Sequence, residues 1–221
     1  PGGVCLYRGC MPSKALLHIA KVMTEARSAS EWGVEFGEPQ VDLQRLRTWK
    51  DRVVEKLTGG LAQLSQQRAI NYIQGRATLV NPHTIRVDRS DGDVETVSFD
   101  NAILATGSRP ACLPRVPVDH ERILDSTAAL EIRKLPRNLL VVGGGYIGLE
   151  LGSVYAALGT EVTVVEMTSG LLPSVDRDLV SVLARELGRD FKSLNFNTSV
   201  SEVTQGDNGV EVTLSGPDIE M

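Results

Sequence analysis

The feature that most constrains this chain is a glycine run, Gly143-Gly144-Gly145-Tyr146-Ile147-Gly148, set between an apolar strand-like stretch, Leu139 to Val142, and a helix-like stretch, Tyr146 to Leu158. The spacing has a physical reading. Gly143 allows a tight turn, Gly145 lets a pyrophosphate approach the backbone, and Gly148 lets the helix pack close to the strand. Ile147 and its neighbours at the helix N-terminus then face the phosphates with unpaired amides and a partial positive charge. A second strand, Glu161 to Val165, leads into Glu166, and another helix spans Val175 to Leu187. That alternation is a βαβ pattern, which implies a parallel sheet. Glu166 is placed to accept hydrogen bonds from the ribose hydroxyls of NAD. It would repel the 2′-phosphate of NADP, and Met167 and Thr168 offer no compensating arginine. The bland alternative, a Gly-rich turn beside an exposed glutamate, is weakened by the strand-turn-helix setting.

The other end of the chain carries Cys5 and Cys10, two of its three cysteines. Three are too few for a secreted disulfide scaffold, and a close pair suggests redox chemistry or a metal. A zinc site needs further ligands at suitable spacing, and Cys112, His18, His83 and His120 are scattered singly, so no metal is expected. In a straight helix, residues five apart have Cα atoms roughly 8 to 9 Å apart, beyond the reach of a disulfide, so the segment must bend if the pair bonds. Gly9 supplies freedom for the bend. A helix opening near Cys10 would bring its partial positive end to the sulfur and favour a thiolate, the species disulfide exchange requires. Spacing alone leaves an inert structural pair equally open.

Between these ends the hydrophobic period predicts a helix from about Pro12 to Ala29 and a second from about Leu43 to Ile70. The second has Leu46, Val53, Leu57, Leu61 and Leu64 as its apolar stripe and Gly59-Gly60 as a weak point. β-rich runs follow at Tyr72 to Val80, Thr84 to Val87, Val94 to Phe99 and Ala102 to Ala105, which read as a small antiparallel unit returning into a buried strand. Pro110, Pro114 and Pro117 mark a connector. At 221 residues and 42% hydrophobic the chain can bury a sizeable core, and its net charge of -5 gives no electrostatic footprint for nucleic acid. No apolar run is long enough to span a bilayer and no signal peptide opens the chain, so it reads as soluble and cytoplasmic.

The stretch from Gly2 through His18 is similar to the redox-active motif of the pyridine nucleotide-disulfide oxidoreductases. Ala105 through Pro110 and Gly143 through Gly152 match that family too, in the same order, so the resemblance covers essentially the whole chain. It implies a Rossmann-like, three-layer α/β architecture: a partial FAD-binding domain over residues 1–134, lacking its first βαβ unit, and a partial NAD-binding domain over 135–221. Within the family the chain looks most like the members that oxidise protein-bound dihydrolipoamide with NAD. Glutathione-type and mercury-type reductases are close competitors. Glu166 and Gly148 argue against both, because NADP-using relatives usually place basic residues after the second strand and often alanine at the last glycine. Soluble transhydrogenase relatives usually lack the second cysteine, here Cys10.

The resemblance assigns roles residue by residue. Cys5 would be the interchange thiol that attacks the disulfide partner, and Cys10 the sulfur facing the flavin. Lys14 would lie near the flavin N5, with an ion pair to Glu150 expected. Gly75, Ala77 and the Thr106-Gly107-Ser108 turn would contact FAD. Tyr146 would stand near the nicotinamide, and Val200 beside the adenine of NAD. The implied partners are the lipoyl domain of a 2-oxo acid dehydrogenase or glycine cleavage complex and, in the full-length protein, a second copy in a homodimer. The family's FAD Gly-rich loop and His-x-x-x-x-Glu pair are missing, so the chain is expected to be an internal fragment, inactive alone. His18, His83 and His120 read as helix or surface histidines. Two other classes stand beside this reading, a nucleotide-binding module and a thiol-disulfide switch that cycles without flavin.

Overall fold

The cysteine segment folds as two helices, α1 (Gly3–Arg8) and α2 (Cys10–Ser28), in a computed structural model that describes residues 1–111, 113, 116, 118–119, 121–207 and 209–217. They break at Gly9, whose carbonyl accepts the Ser13 amide at 3.1 Å and so begins α2. A side chain at Gly9 would press on the Val4 carbonyl oxygen at 3.2 Å and Cys5 Cα at 3.3 Å, so the tight junction suits glycine. α2 opens at Cys10 rather than Pro12. Proline is tolerated in that first turn because the amides there have no helical partner. A 3-10 turn, Ala29–Trp32, closes the segment.

Helix α3 (Leu43–Gln67) is capped by Asp42, whose carboxylate accepts the Arg45 amide at 3.0 Å. It runs through Gly59-Gly60 without a break and stops short of Ile70. Leu46 packs on the core, while Leu57, Leu61 and Leu64 lie exposed. Lys50, only 3% exposed, donates to the Leu130 carbonyl and to Glu131 Oε1, each at 3.2 Å, and ties α3 to the segment ahead of the second unit.

Strands β1 (Arg76–Asn81), β2 (Thr84–Asp88) and β3 (Val94–Ser98) form an antiparallel sheet in that order. The stretch Ala102 to Ala105, expected as a buried strand, has no regular structure, with Ile103 93% and Leu104 72% exposed. A strand is fixed by its ladder, and no described strand pairs with this one. The sheet starts at Arg76 rather than Tyr72, which leaves Gly75 just outside it.

After a short helix, α4 (Ser126–Ala129), comes the expected parallel unit: β4 (Asn138–Val142), α5 (Tyr146–Ala157), β5 (Glu161–Val165), α6 (Arg177–Asp190) and β6 (Ser193–Asn195), with strand order β4-β5-β6. α6 begins at Arg177 rather than Val175, and runs on past Leu187. A hairpin, β7 (Ser199–Gly206) and β8 (Gly209–Ser215), follows. The connector clasps it: Arg122 donates to the Gly206 carbonyl at 2.7 Å, and Gln205 donates to Asp119 at 2.8 Å. Cys112, Pro114, Pro117, His120 and Met221 lie outside the described residues. Among the described residues no helix is long and apolar enough to cross a membrane.

The core gathers around α5 and β5. Val162 and Val164 are fully buried, and Leu149, Val154 and Tyr155 pack beside Leu16 and Ala20 of α2. Burying side chains of this size contributes about 1.5–3 kcal/mol each. Tyr155 donates its hydroxyl to the Ala129 carbonyl at 3.0 Å, and burial pushes its pKa up to about 12. Arg27 of α2 donates to the Ala157 carbonyl at 2.8 Å. The packing of α2 along α5 is what holds the cysteine segment against the glycine loop's helix.

Candidate functional site

Cys5 near the middle of α1 and Cys10 at the first position of α2 are both exposed and are not bonded to one another. Cys5, which lies in α1 rather than at the α2 terminus, has its pKa raised. Hydrogen bonding to the Cys10 side chain, then desolvation and the charge of Cys10, push the Cys5 thiol above its usual range, and the Cys10 backbone and then the Lys14 charge oppose them.

Lys14, one turn into α2, donates to Glu150 Oε1 at 2.6 Å, the ion pair expected from the resemblance. That hydrogen bond is the main cause holding the Lys14 pKa above the ordinary lysine value, with the charges of Glu150 and both cysteines acting the same way. The other carboxylate oxygen, Oε2, accepts from Ser13 at 3.0 Å, a contact that sequence reasoning missed. The signal was available in principle: Ser13 adjoins Lys14, and only packing of α2 on α5 reveals that both reach the same carboxylate.

The glycine loop has the geometry its spacing implies. Gly143 has φ 108°, a conformation that favours glycine, and its amide donates to the Val165 carbonyl at 2.8 Å. A Cβ on Gly148 would stand 2.6 Å from the Gly143 oxygen and 2.9 Å from Val141 Cγ1, so that glycine sets how closely α5 approaches β4. A Cβ on Gly145 would meet no protein atom within 4 Å; the protein leaves open space there. Tyr146 and Ile147, at the start of α5, are exposed.

Glu166, 8% exposed, follows β5 and turns back to the loop. Its Oε2 accepts the Gly144 amide at 2.7 Å and its Oε1 accepts the Thr168 amide at 2.8 Å. Burial alone would raise its pKa; the amides of Thr168 and Gly144 outweigh burial and hold the carboxylate below its usual range. The Thr168 hydroxyl and the Met167 amide act on the carboxylate in the same sense. The involvement of Gly144 is a second contact not read from sequence, where only the flanking glycines had an assigned reason.

The remaining candidates fall into separate places. Gly107, with φ 75°, lies beside Val4 of α1, where an added Cβ would meet Val4 Cγ2 at 3.1 Å, so the turn Thr106-Gly107-Ser108 borders the cysteine segment. Gly75 packs tightly on β2, its Cβ position 2.5 Å from Val87 Cγ1, and Ala77 pairs with Val87 on the exposed strand β1. Val200 sits half-buried on β7 opposite Leu214. Cys5, Cys10, Lys14, Glu150 and Gly107 thus form one group and the glycine loop with Glu166 another, both built on α5 and its neighbours. His18 is exposed on α2, and His83 sits in the β1–β2 turn, its Nδ1 3.3 Å from the Phe99 carbonyl oxygen.

Residues 1–220 match the protein family described as pyridine nucleotide-disulphide oxidoreductase. The chain is 47% identical over 215 residues to a dihydrolipoyl dehydrogenase of Haemophilus influenzae, a match that covers 97% of this chain and 45% of the relative. Among solved structures it resembles LpdA of Mycobacterium tuberculosis, with a TM-score of 0.86 and 28% identity over 97% of this chain and 48% of that one. It also resembles RclA, a flavoprotein disulfide reductase of Escherichia coli, with a TM-score of 0.72 and 29% identity over 96% of this chain and 44% of that one. The chain spans about half the length of the proteins it matches.

Proposed function

The chain belongs to the pyridine nucleotide-disulphide oxidoreductases, and on that premise we propose that it is part of a dihydrolipoyl dehydrogenase, oxidising protein-bound dihydrolipoamide through a Cys5–Cys10 disulfide and FAD to NAD. One observation carries the reading: the first turns of α5 open at the glycine loop and, through Glu150, reach Lys14 beside the two thiols at 2.6 Å. A redox pair and a dinucleotide loop thereby share one helix.

The residues fit both cofactors. For NAD, the open space at Gly145, the exposed Tyr146 and Ile147, and the charged carboxylate of Glu166 at the end of β5 form a cradle suited to a pyrophosphate, a nicotinamide and a ribose. Val200 would border the adenine. The fixed negative charge of Glu166 disfavours a 2′-phosphate, and nearby Arg177 is occupied with the carbonyls of Leu171, Leu172 and Val175. For FAD, Lys14 with Glu150, the turn 106–108, and Gly75 with Ala77 would hold the cofactor; the bare Ile103 and Leu104 beside that turn offer apolar surface to it. A flavin held by Lys14, Glu150 and the turn 106–108 would supply the two-electron transfer that links the dithiol to NAD.

The chain's own residues handle the sulfur chemistry. A dihydrolipoyl thiolate attacks Cys5 Sγ, the S–S bond to Cys10 breaks, and Cys10 leaves as thiolate. The second lipoyl sulfur then displaces Cys5, which closes the oxidised lipoyl ring and leaves both cysteines reduced. Exposure of Cys5 suits it to meet a protein-borne substrate. The Lys14 ammonium, held by Glu150, balances negative charge that develops on the pair. We assign residues 1–134 to the FAD-binding domain and 135–221 to the NAD-binding domain. The full-length protein is read as a cytoplasmic homodimer serving the lipoyl domain of a 2-oxo acid dehydrogenase or glycine cleavage complex; the exposed apolar Leu57, Leu61 and Leu64 on α3 give surface for a protein neighbour.

Steady-state NADH formation from dihydrolipoamide by the full-length protein tests this directly. Activity with NAD should exceed that with NADP, and Cys5→Ser and Cys10→Ser should each abolish it. Turnover of a different disulfide with NADPH, and none with dihydrolipoamide, would keep the family and overturn the proposed member.

A further inference from the structure

A helical serine ordinarily turns its hydroxyl back to the carbonyl one turn earlier, and Ser13 does have the Cys10 carbonyl oxygen within reach at 3.1 Å. The same Oγ lies 3.0 Å from Glu150 Oε2. A hydroxyl has one proton, and an ionised carboxylate is the stronger acceptor, so that proton goes chiefly to Glu150. Ser13 is 7% exposed, whereas the side chain of Lys14 is 57% exposed and that of Glu150 29%. The anchored member of this group of three is therefore the serine. Lys14 sits on a flexible four-carbon stem at the surface, and its ammonium keeps one place only if the carboxylate it binds is itself fixed.

We propose that Ser13 is a positioning residue of the redox centre: its buried hydroxyl pins Glu150 through Oε2, so that Oε1 holds the Lys14 ammonium beside the Cys5–Cys10 pair. This rests on the proposed reading of that pair as the redox centre. The groups that act on one another here are Cys5 of α1, Cys10 and Lys14 of α2, and Glu150 of α5. Loss of the Ser13 hydroxyl has two effects of the same sign. Glu150 gains an unshielded oxygen and swings more widely, and Lys14 follows it and spends less time near the sulfurs. Both disfavour a thiolate on Cys5.

The test is the pH profile of iodoacetamide alkylation at Cys5 in the reduced full-length holoenzyme, read by peptide mass, for wild type, Ser13→Ala, Ser13→Thr and Lys14→Met. Alanine is the best helix former and fits the same space, so the first variant should fold. Alkylation of Cys5 in Ser13→Ala should be slower near neutral pH by about twofold or more, with the midpoint moved to higher pH. Threonine, which keeps the hydroxyl, should restore the wild-type profile, a rescue that a purely packing role would not give. A Ser13→Ala profile that coincides with wild type while Lys14→Met moves it would overturn the role of Ser13 and leave the site reading intact. If neither variant moves the profile, Lys14 does not act on the thiols, and both the role of Ser13 and that part of the site reading fail.

Discussion

Glu166 is the residue on which the nucleotide preference turns, because a carboxylate buried at that depth is fixed by its partners. Backbone amides, those of Gly144 and Thr168 foremost, hold it, and a hydrogen bond to a charged group contributes about 1.5–3 kcal/mol. Glu166→Gln keeps the shape and removes the charge, so its amide group must set a donor against an amide of the loop. The variant should lose about tenfold in NAD affinity by titration and discriminate less against NADP. The pH dependence has a definite sign. The folded-state pKa is lowered, so the stabilisation by Glu166 is complete above the unfolded carboxylate value of about 4.3 and disappears as the pH falls through the lower folded value. The stability gap between wild type and Glu166→Gln, read from denaturant midpoints, should therefore be constant around neutral pH and close only in acid. A gap that instead closes toward alkaline pH would contradict the assignment.

Helix α5 and its loop separate structural from ligand-related glycines. Gly145→Ala adds a methyl group where no protein atom lies within 4 Å and where the backbone, at φ -80° and ψ 167°, is open to alanine. Its stability should stay within about 0.5 kcal/mol of wild type, while NAD affinity falls. Gly148→Ala drives a methyl group into the Gly143 carbonyl and Val141, and overpacking of this kind costs about 1–3 kcal/mol, partly offset by better helix propensity. Chemical denaturation and nucleotide titration of the two variants check the distinction; a Gly145→Ala protein that binds NAD like wild type would remove that glycine from the site. These elements were legible because the βαβ unit makes its own neighbours: β4, α5 and β5 bury one another, and local pattern suffices. Ala102 to Ala105 was misread because an apolar run needs a ladder partner that its own sequence does not supply, and here none of the described strands gives one. β6 and the β7–β8 hairpin were not read in advance, since short runs with mixed polar faces carry little period.

Across the whole molecule, the packing of α2 on α5 joins two motifs that lie far apart in sequence. The Lys14–Glu150 contact followed from the resemblance, whereas the roles of Ser13 and Gly144 appear only once the helices are packed. The raised pKa of Cys5 was likewise hidden, because it comes chiefly from the neighbouring Cys10 and from desolvation, which the spacing of the two cysteines does not reveal. The central claim is that this pair relays electrons between a dithiol substrate and the nucleotide. The most direct test is differential alkylation of the oxidised full-length enzyme, held under anaerobic conditions, before and after stoichiometric dihydrolipoamide, with NAD then added in a parallel sample. Cys5 and Cys10 should be protected at the start, both labelled after dihydrolipoamide, and protected again once NAD has taken the electrons. Equal labelling of both cysteines at every stage, with NADH still formed, would show that the electrons bypass the pair.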